Sequence, residues 1–325
     1  MRSITNSEYQ EINMAKNSIN SFMKKVSFIC GLVIFLSCTP QINVKEKESV
    51  LLGELDKSYS AGKWEQALLY IDSLKDYGVS LLPIEAECYA GIGEYDKAIG
   101  MLENEIKLDT IEKIYYCYQT LGQIYHLKKD YDNAVINYKK VIELRPTYAR
   151  PYVNLGELYS SQGDKQQSVD YFILAIRLFV ANEFYAEVIE FSGKVLSIDP
   201  VNTEAYKYLQ YALYELQQYD DALSVGLEFD SILESGKQWD ERHENWLFTG
   251  MAAYRCKDYQ LSYDLIGNSM QFDDVKTEYG WWGFSYLSAI CTKQGKEELA
   301  KEYADVAKII GEKSPDEFIK ELLNE

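Results

Sequence analysis

The chain holds two histidines, His126 and His243, and neither has a nucleophile or a second base at a spacing that makes a proton relay. His126 closes a run of helical periodicity, and His243 opens another beside Glu241 and Glu244, positions that suit a helix surface or cap. The six cysteines (Cys30, Cys38, Cys88, Cys117, Cys256 and Cys291) form no CxxC pair, so a zinc centre has almost no ligands to draw on. Gly91 and Gly93 make a GxG without the third glycine of a dinucleotide loop, and they fall between two helical stretches, which reads as a turn. No GxSxG, HExxH or phosphate-loop sequence occurs. These residues predict no catalytic centre, no metal and no cofactor. One enzymatic arrangement stays open as the weakest reading, a pair of scattered carboxylates brought together in a deep pocket.

What the side chains do show is spacing for packing. Helical periodicity begins at Val50 and continues to the end with no sustained alternation, and there are only six prolines to interrupt it, which predicts an all-α chain. Tyr118, Leu121, Gly122, Tyr125, Ala134, Tyr138 and Pro146 stand at fixed offsets, and 34 residues later Tyr152, Leu155, Gly156, Tyr159, Phe172 and Ala175 repeat them. This pattern resembles the tetratricopeptide repeat (TPR) family, in which each unit is a pair of antiparallel helices and successive units stack into a right-handed superhelix. Small residues preceded by an aromatic three positions earlier mark the other units: Trp64 with Ala67, Tyr95 with Ala98, Tyr131 with Ala134, Tyr219 with Ala222 and Tyr259 with Ser262. Ser168 and Ala300 take the small position without the aromatic. A small side chain there lets two helix backbones approach closely.

From Ser168 to Ala222 the spacing exceeds one period by 20 residues, room for one extra helix over Phe184 to Ser197 with Val188 at its small position. Either the run Gln166 to Val180 serves two units at once or a third helix is inserted. Wider spacings farther on predict longer loops, notably Ser235 to Glu241. The domain plan is a polar linker at 38–49, an array of seven or eight units over 50–312, and a capping helix at 313–325 opened by Ser314, Pro315, Asp316 and Glu317. Cys88, Cys117, Cys256 and Cys291 all fall in expected first helices, where a thiol acts as a small buried hydrophobe, so free thiols are predicted.

The resemblance also implies a concave groove lined by first-helix residues one position past the packing stripe, since each residue advances about 100° around the axis. That assigns Tyr116, Gln119 and Gln123 to one unit and Arg150, Val153 and Glu157 to the next. Further on it assigns Lys207, Tyr211 and Tyr214, then Leu247, Met251 and Tyr254, then Trp282 and Ser285. Tyrosine and methionine bring large contact area to a groove, which implies a protein or peptide partner. A carboxylate clamp for acidic tails needs lysine and asparagine where this chain has Gln119, Gln123, Val153, Asn154 and Glu157. A second reading is solute binding, with Tyr208, Tyr211, Tyr214, Trp281 and Trp282 stacking on a glycan or peptide.

The N-terminus carries a different signal. Lys24 and Lys25 follow Met23 and precede an apolar run from Val26 to Leu36, too short for the roughly 20 residues that span a bilayer. Phe35, Leu36, Ser37 and Cys38 resemble the lipobox of bacterial lipoproteins, with Phe35 departing from the usual small aliphatic residue. The resemblance implies removal of residues 1–37, with translation beginning at Met1 or Met23, and lipidation of Cys38 as a membrane anchor. Thr39 in place of aspartate implies the outer membrane of a Gram-negative cell, facing the periplasm or the surface. The net charge of −18, with no basic run, predicts no nucleic-acid partner. The expected function is a non-catalytic adaptor of the cell envelope; oligomeric state stays open.

Overall fold

A computed structural model describes residues 44–79, 81–108, 114–271, 278–311 and 315–324. The leader, the lipobox with Cys38, and Ser314 of the capping box lie outside the described residues. Sixteen helices and no strand occur among the described residues. They divide into two compact units, one ending at Lys128 and one beginning at Lys129.

In the first unit, α1 (Val44–Ser60), α2 (Trp64–Lys75), α3 (Leu82–Gly91), α4 (Tyr95–Leu108) and α5 (Ile114–Leu127) each pack on the next, and α3 also meets α5. Helix α1 starts six residues before the expected Val50, because the charged stretch from Val44 to Ser49 contains good helix formers rather than turn residues. Ala67 and Ala98 are fully buried at their small positions. Gly91 ends α3 against Trp64, where an added Cβ would lie 2.6 Å from the indole ring, and Gly93 takes φ 88° in the turn that follows. The GxG is thus a turn and a close approach. In this unit the Tyr59 hydroxyl donates to Glu87, which also accepts from Thr120 at 3.3 Å.

In the second unit the helices are α6 (Tyr131–Leu144), α7 (Arg150–Gln162), α8 (Lys165–Ala181), α9 (Tyr185–Ile198), α10 (Thr203–Glu215) and α11 (Tyr219–Gly236). They continue as α12 (Trp239–Arg255), α13 (Tyr259–Ser269), α14 (Glu278–Lys293), α15 (Glu297–Ile310) and α16 (Asp316–Asn324). One turn recurs between helices: a residue in the left-handed region, then the N-cap. Gly163, Glu183, Gln217, Lys237, Lys257 and Gly295 occupy it. In each case the next N–H bonds the carbonyl five residues back, as in Asp164 to Tyr159 (3.0 Å) and Phe184 to Phe179 (2.9 Å), closing the helix with a Schellman motif. Asp130, Asp164, Asn202 and Asp258 cap the helices that follow them by accepting from the backbone N–H three residues on.

The expected long loop at Ser235 to Glu241 does not exist. Helix α11 runs to Gly236, α12 begins at Trp239, and the added length lies in the helices. The buried Arg242 spans that short turn, donating through Nε to Asp230 Oδ1 at 2.7 Å and through Nη2 to Oδ2 at 2.9 Å. Where serine replaces alanine at the small position it also closes a bond: Ser168 Oγ donates to Gly156 O (2.9 Å) and Ser262 Oγ to Gly250 O (2.7 Å).

The extra helix is α9, one residue out of phase with the expected Phe184 to Ser197, with Val188 fully buried. Helix α8 packs on α7, on α9 and on α10, and it is joined to both α7 and α9 by the recurrent turn. First helices elsewhere meet across one intervening helix, α10 with α12 and α12 with α14, and α8 meets α10 in the same way. Helix α8 therefore closes one helix pair and opens the next, which accounts for the 20-residue excess.

Cys88, Cys117 and Cys291 are buried free thiols, and Cys256 is a half-buried one. Burial, with Glu87 and Glu85 adding to it, pushes the Cys88 thiol up to about 11. Such thiols are inert at neutral pH.

Many of the tyrosines carry the packing, with a consequence at high pH. The Tyr206 hydroxyl is pushed up to about 12 by burial and then by Glu228, to which it donates at 2.9 Å; burial also takes Tyr254 to about 12. An unfolded tyrosine ionises near pH 10. A raised folded value means this stabilisation is complete below pH 10 and is lost as pH climbs through 12. Circular dichroism is expected to lose helix between those limits, together with the rise of tyrosinate absorbance. Titration of every tyrosine near pH 10 with the helices intact would contradict it.

Candidate functional site

The face that faces outward on α8 belongs to residues the packing stripe leaves over. Ser168, Phe172, Ala175 and Ile176 point into the core. One or two positions on, Val169, Asp170, Ile173, Leu174 and Arg177 line an open cavity of about 520 Å³, completed by Ile198 and Asp199 at the end of α9 and by Asn202 and Glu204 at the start of α10. Its floor is apolar: Val169 and Ile173 are buried and Leu174 is 39% exposed. Its rim is charged with both signs. Arg177 donates through Nε to Glu204 at 2.8 Å, and this bond raises the guanidinium above its ordinary range.

The same row continues on α10. Lys207 is half-buried and pairs with Glu241 (3.1 Å) and Glu244 (3.6 Å) of α12. Tyr211 sets its ring edge-on to Tyr185 at 5.9 Å, and burial followed by the Tyr185 hydroxyl drives its own hydroxyl upward. Tyr214 shares a hydrogen bond with Tyr286 at 2.9 Å and accepts from Arg255 Nε at 3.3 Å. Arg150 is exposed, and Glu157, also exposed, pairs with Lys194 of α9 at 3.1 Å.

Farther along, the expected groove positions are not available. Met251 (7% exposed), Tyr254 (3%) and Leu247 are buried, because Tyr286 and the C-terminal helix α16 lie over this part of the row, and Ser285 is buried with its hydroxyl donating to Trp281 O at 2.7 Å. Trp282 is half-buried, while Trp281 stacks on Phe318 of α16 at 5.2 Å. The aromatic set proposed for solute stacking is thus largely engaged in packing. In the first unit Tyr116 is exposed against the ring of Tyr115, Gln123 is half-buried, and Gln119 is buried with neither amide atom hydrogen-bonded. Val153 is buried as well.

Asp170, Ile173 and Arg177 were missed because no groove positions were assigned to the run Gln166 to Val180, whose service to two units was one of two readings left open, and Glu204 precedes the positions assigned on α10. The signal was present: Phe172, Ala175, Ile176 and Phe179 also carry first-helix spacing. Among the described residues no group of three or more histidine, cysteine, aspartate or glutamate side chains could hold a metal ion, and no helix is long and apolar enough to cross a membrane.

Residues 122–163 match the family described as TPR repeat, and residues 149–179 match that described as tetratricopeptide repeat. A curated relative, the BBSome complex member BBS4 of Bos taurus, is 30% identical over 154 residues, 47% of this chain. The chain spans 25% of that relative's length. Among solved structures, YrrB, described as a TPR protein with an unusual peptide-binding site, is 19% identical over 56% of this chain and 94% of its own, with a TM-score of 0.39. A tetratricopeptide repeat protein from Parabacteroides merdae is 14% identical over 75% of this chain and 96% of its own, with a TM-score of 0.35.

Proposed function

We propose that this chain, which belongs to the tetratricopeptide repeat family, is a non-catalytic scaffold that holds a protein segment on the α8–α10 face of its second unit. One observation carries the reading: an open cavity of about 520 Å³ with an apolar floor of Val169, Ile173, Leu174 and Ile198 and a rim of Lys165, Asp170, Arg177 and Glu204. An apolar centre ringed by polar groups is the anatomy of a protein interface. The rim carries both signs at fixed places, so it sets the register of a bound segment rather than attracting any chain of one charge. A photo-crosslinker placed at Leu174 in cells should capture a defined partner, and one placed at the exposed Leu69 of the first unit should not. Arg177→Glu should reduce that capture several-fold. Equal capture at both positions, or none at Leu174, would sink the proposal.

The scaffold is further proposed to be lipid-anchored through Cys38 at the outer membrane of a bacterial envelope, supported by Lys24, Lys25, the apolar run to Leu36, and Ser37 before the cysteine. Intact-mass measurement on protein from its native cells is expected to show a chain that begins at Cys38 and carries acyl groups. An unmodified cysteine in an uncleaved chain would end this part of the reading.

A further inference from the structure

The last helix does not behave as a lid on the end of the array. A terminal cap should cover the second helix of the last pair, yet α16 packs chiefly along the first helix, α14, and Ile309 on α15 stays 83% exposed. The apolar side of α16 carries Phe318, Ile319, Leu322 and Leu323, while Asp316, Glu317, Lys320 and Glu321 face solvent. Ile319 and Leu322 enter one core with Leu247, Met251 and Tyr254 of α12 and with Tyr286 and Ile290 of α14. Phe318 lies flat against Trp281 at 5.2 Å and edge-on to Tyr286 at 5.8 Å. The receiving face also holds the end of the helix backbone: Tyr254 Oη donates to Leu322 O at 2.6 Å, and Lys293 Nζ donates to Leu323 O at 2.7 Å.

These contacts are those of a ligand helix in a groove. The face supplies an aromatic slot for one side chain, an apolar trough for the pair one turn on, and two donors for carbonyls that any helix leaves unpaired at its C-terminus. A nine-residue helix is shorter than the roughly 12–15 residues that persist alone in water, so α16 is helical because it is docked. We infer that the α12–α14 face is a helix-binding site occupied in cis by α16. Its partner in trans is an amphipathic helix with the α16 spacing, an aromatic and an aliphatic residue together and two leucine-like residues one turn later. Release of α16 opens the site. The inference concerns a face other than the α8–α10 cavity and stands whether or not that cavity binds a segment.

The probe is a fluorescent peptide of residues 313–325, titrated against the full chain and against the full chain carrying Leu322→Asp, which loosens α16 and leaves the receiving face unchanged. Tethering gives α16 an effective concentration on the order of millimolar, so the wild-type chain competes with the peptide. The variant is expected to bind it at least about tenfold more tightly, and a peptide that itself carries Leu322→Asp is expected to bind neither chain. A variant with wild-type melting that binds no peptide would overturn the inference. Should the variant lose helix beyond α16, hydrogen exchange on the wild-type chain decides: amides of α16 are expected to exchange at least about tenfold faster than those of α14. Equal protection in the two helices would show α16 to be a fixed part of the core.

Discussion

Replacement of Arg242 by methionine is expected to cost about 3 kcal/mol of stability. Arg242 is 8% exposed, and its guanidinium makes two near-parallel bonds to Asp230 at 2.7 and 2.9 Å, approaches Glu234 at 3.4 Å, and lies over the Trp246 ring at 4.9 Å. Methionine fills much of the volume but leaves the Asp230 carboxylate, whose side chain is 21% exposed, without the cation that offsets its desolvation. The carboxylate's partial exposure puts the cost at the lower end for a broken buried pair. A melting point lower by on the order of 6–12 °C follows for a unit of this size. Asp230→Asn in the same chain should recover part of the loss, since the stranded charge goes with it. If Arg242→Met melts within about 1 °C of wild type, the staple across the α11–α12 turn contributes no stability.

Gly250→Val is the second large effect, expected at about 2–3 kcal/mol of destabilisation. A Cβ at this point of α12 would lie 2.5 Å from Ile266 Cγ1 and 3.3 Å from the Ile266 backbone nitrogen, and a backbone atom cannot swing away as a side-chain tip does. The α12–α13 pair must then separate, and the 2.7 Å bond from Ser262 Oγ to Gly250 O is lost with it. Gly267 on the facing helix has nothing within 4 Å of its added Cβ, so Gly267→Ala should stabilise by about 0.5–1 kcal/mol through helix propensity alone. Denaturant titration of the two variants separates close packing from propensity by the sign of the change. Two shifts of the same sign would show that the close approach at Gly250 is not what sets its cost.

Much of this architecture is legible in local spacing. Ala67, Ala98, Ala134 and Ala222 are all fully buried where an aromatic three residues earlier marks a helix crossing, because close approach demands a side chain no larger than a methyl. Glycine, lysine, glutamate and glutamine alike take the left-handed position between helices, so the turn is set by the backbone hydrogen bonds of the Schellman motif more than by residue type. That is why the α11–α12 connection, with Lys237 in that position, reads as a loop by sequence and is a tight turn in the fold.

The candidate site was less legible, for a reason visible at Phe172. It stands where the aromatic of a second helix belongs and, 20 residues out of phase, where that of a first helix belongs. In the structure it serves both, with its ring against Gly156 of α7 and 5.8 Å from Phe191 of α9. Periodicity along the chain reports which residues are inside a helix pair, and that part the sequence determined alone: an all-α repeat array, its buried small positions and its free thiols. Which surviving faces stay open depends on contacts between helices far apart in the chain. Only the tertiary structure decided that α8 presents Asp170, Ile173 and Arg177 beside Glu204, and that Met251 and Tyr254 lie beneath a helix some 70 residues away. A one-dimensional pattern fixes the direction a side chain leaves its helix, and burial is decided by what arrives from elsewhere to meet it.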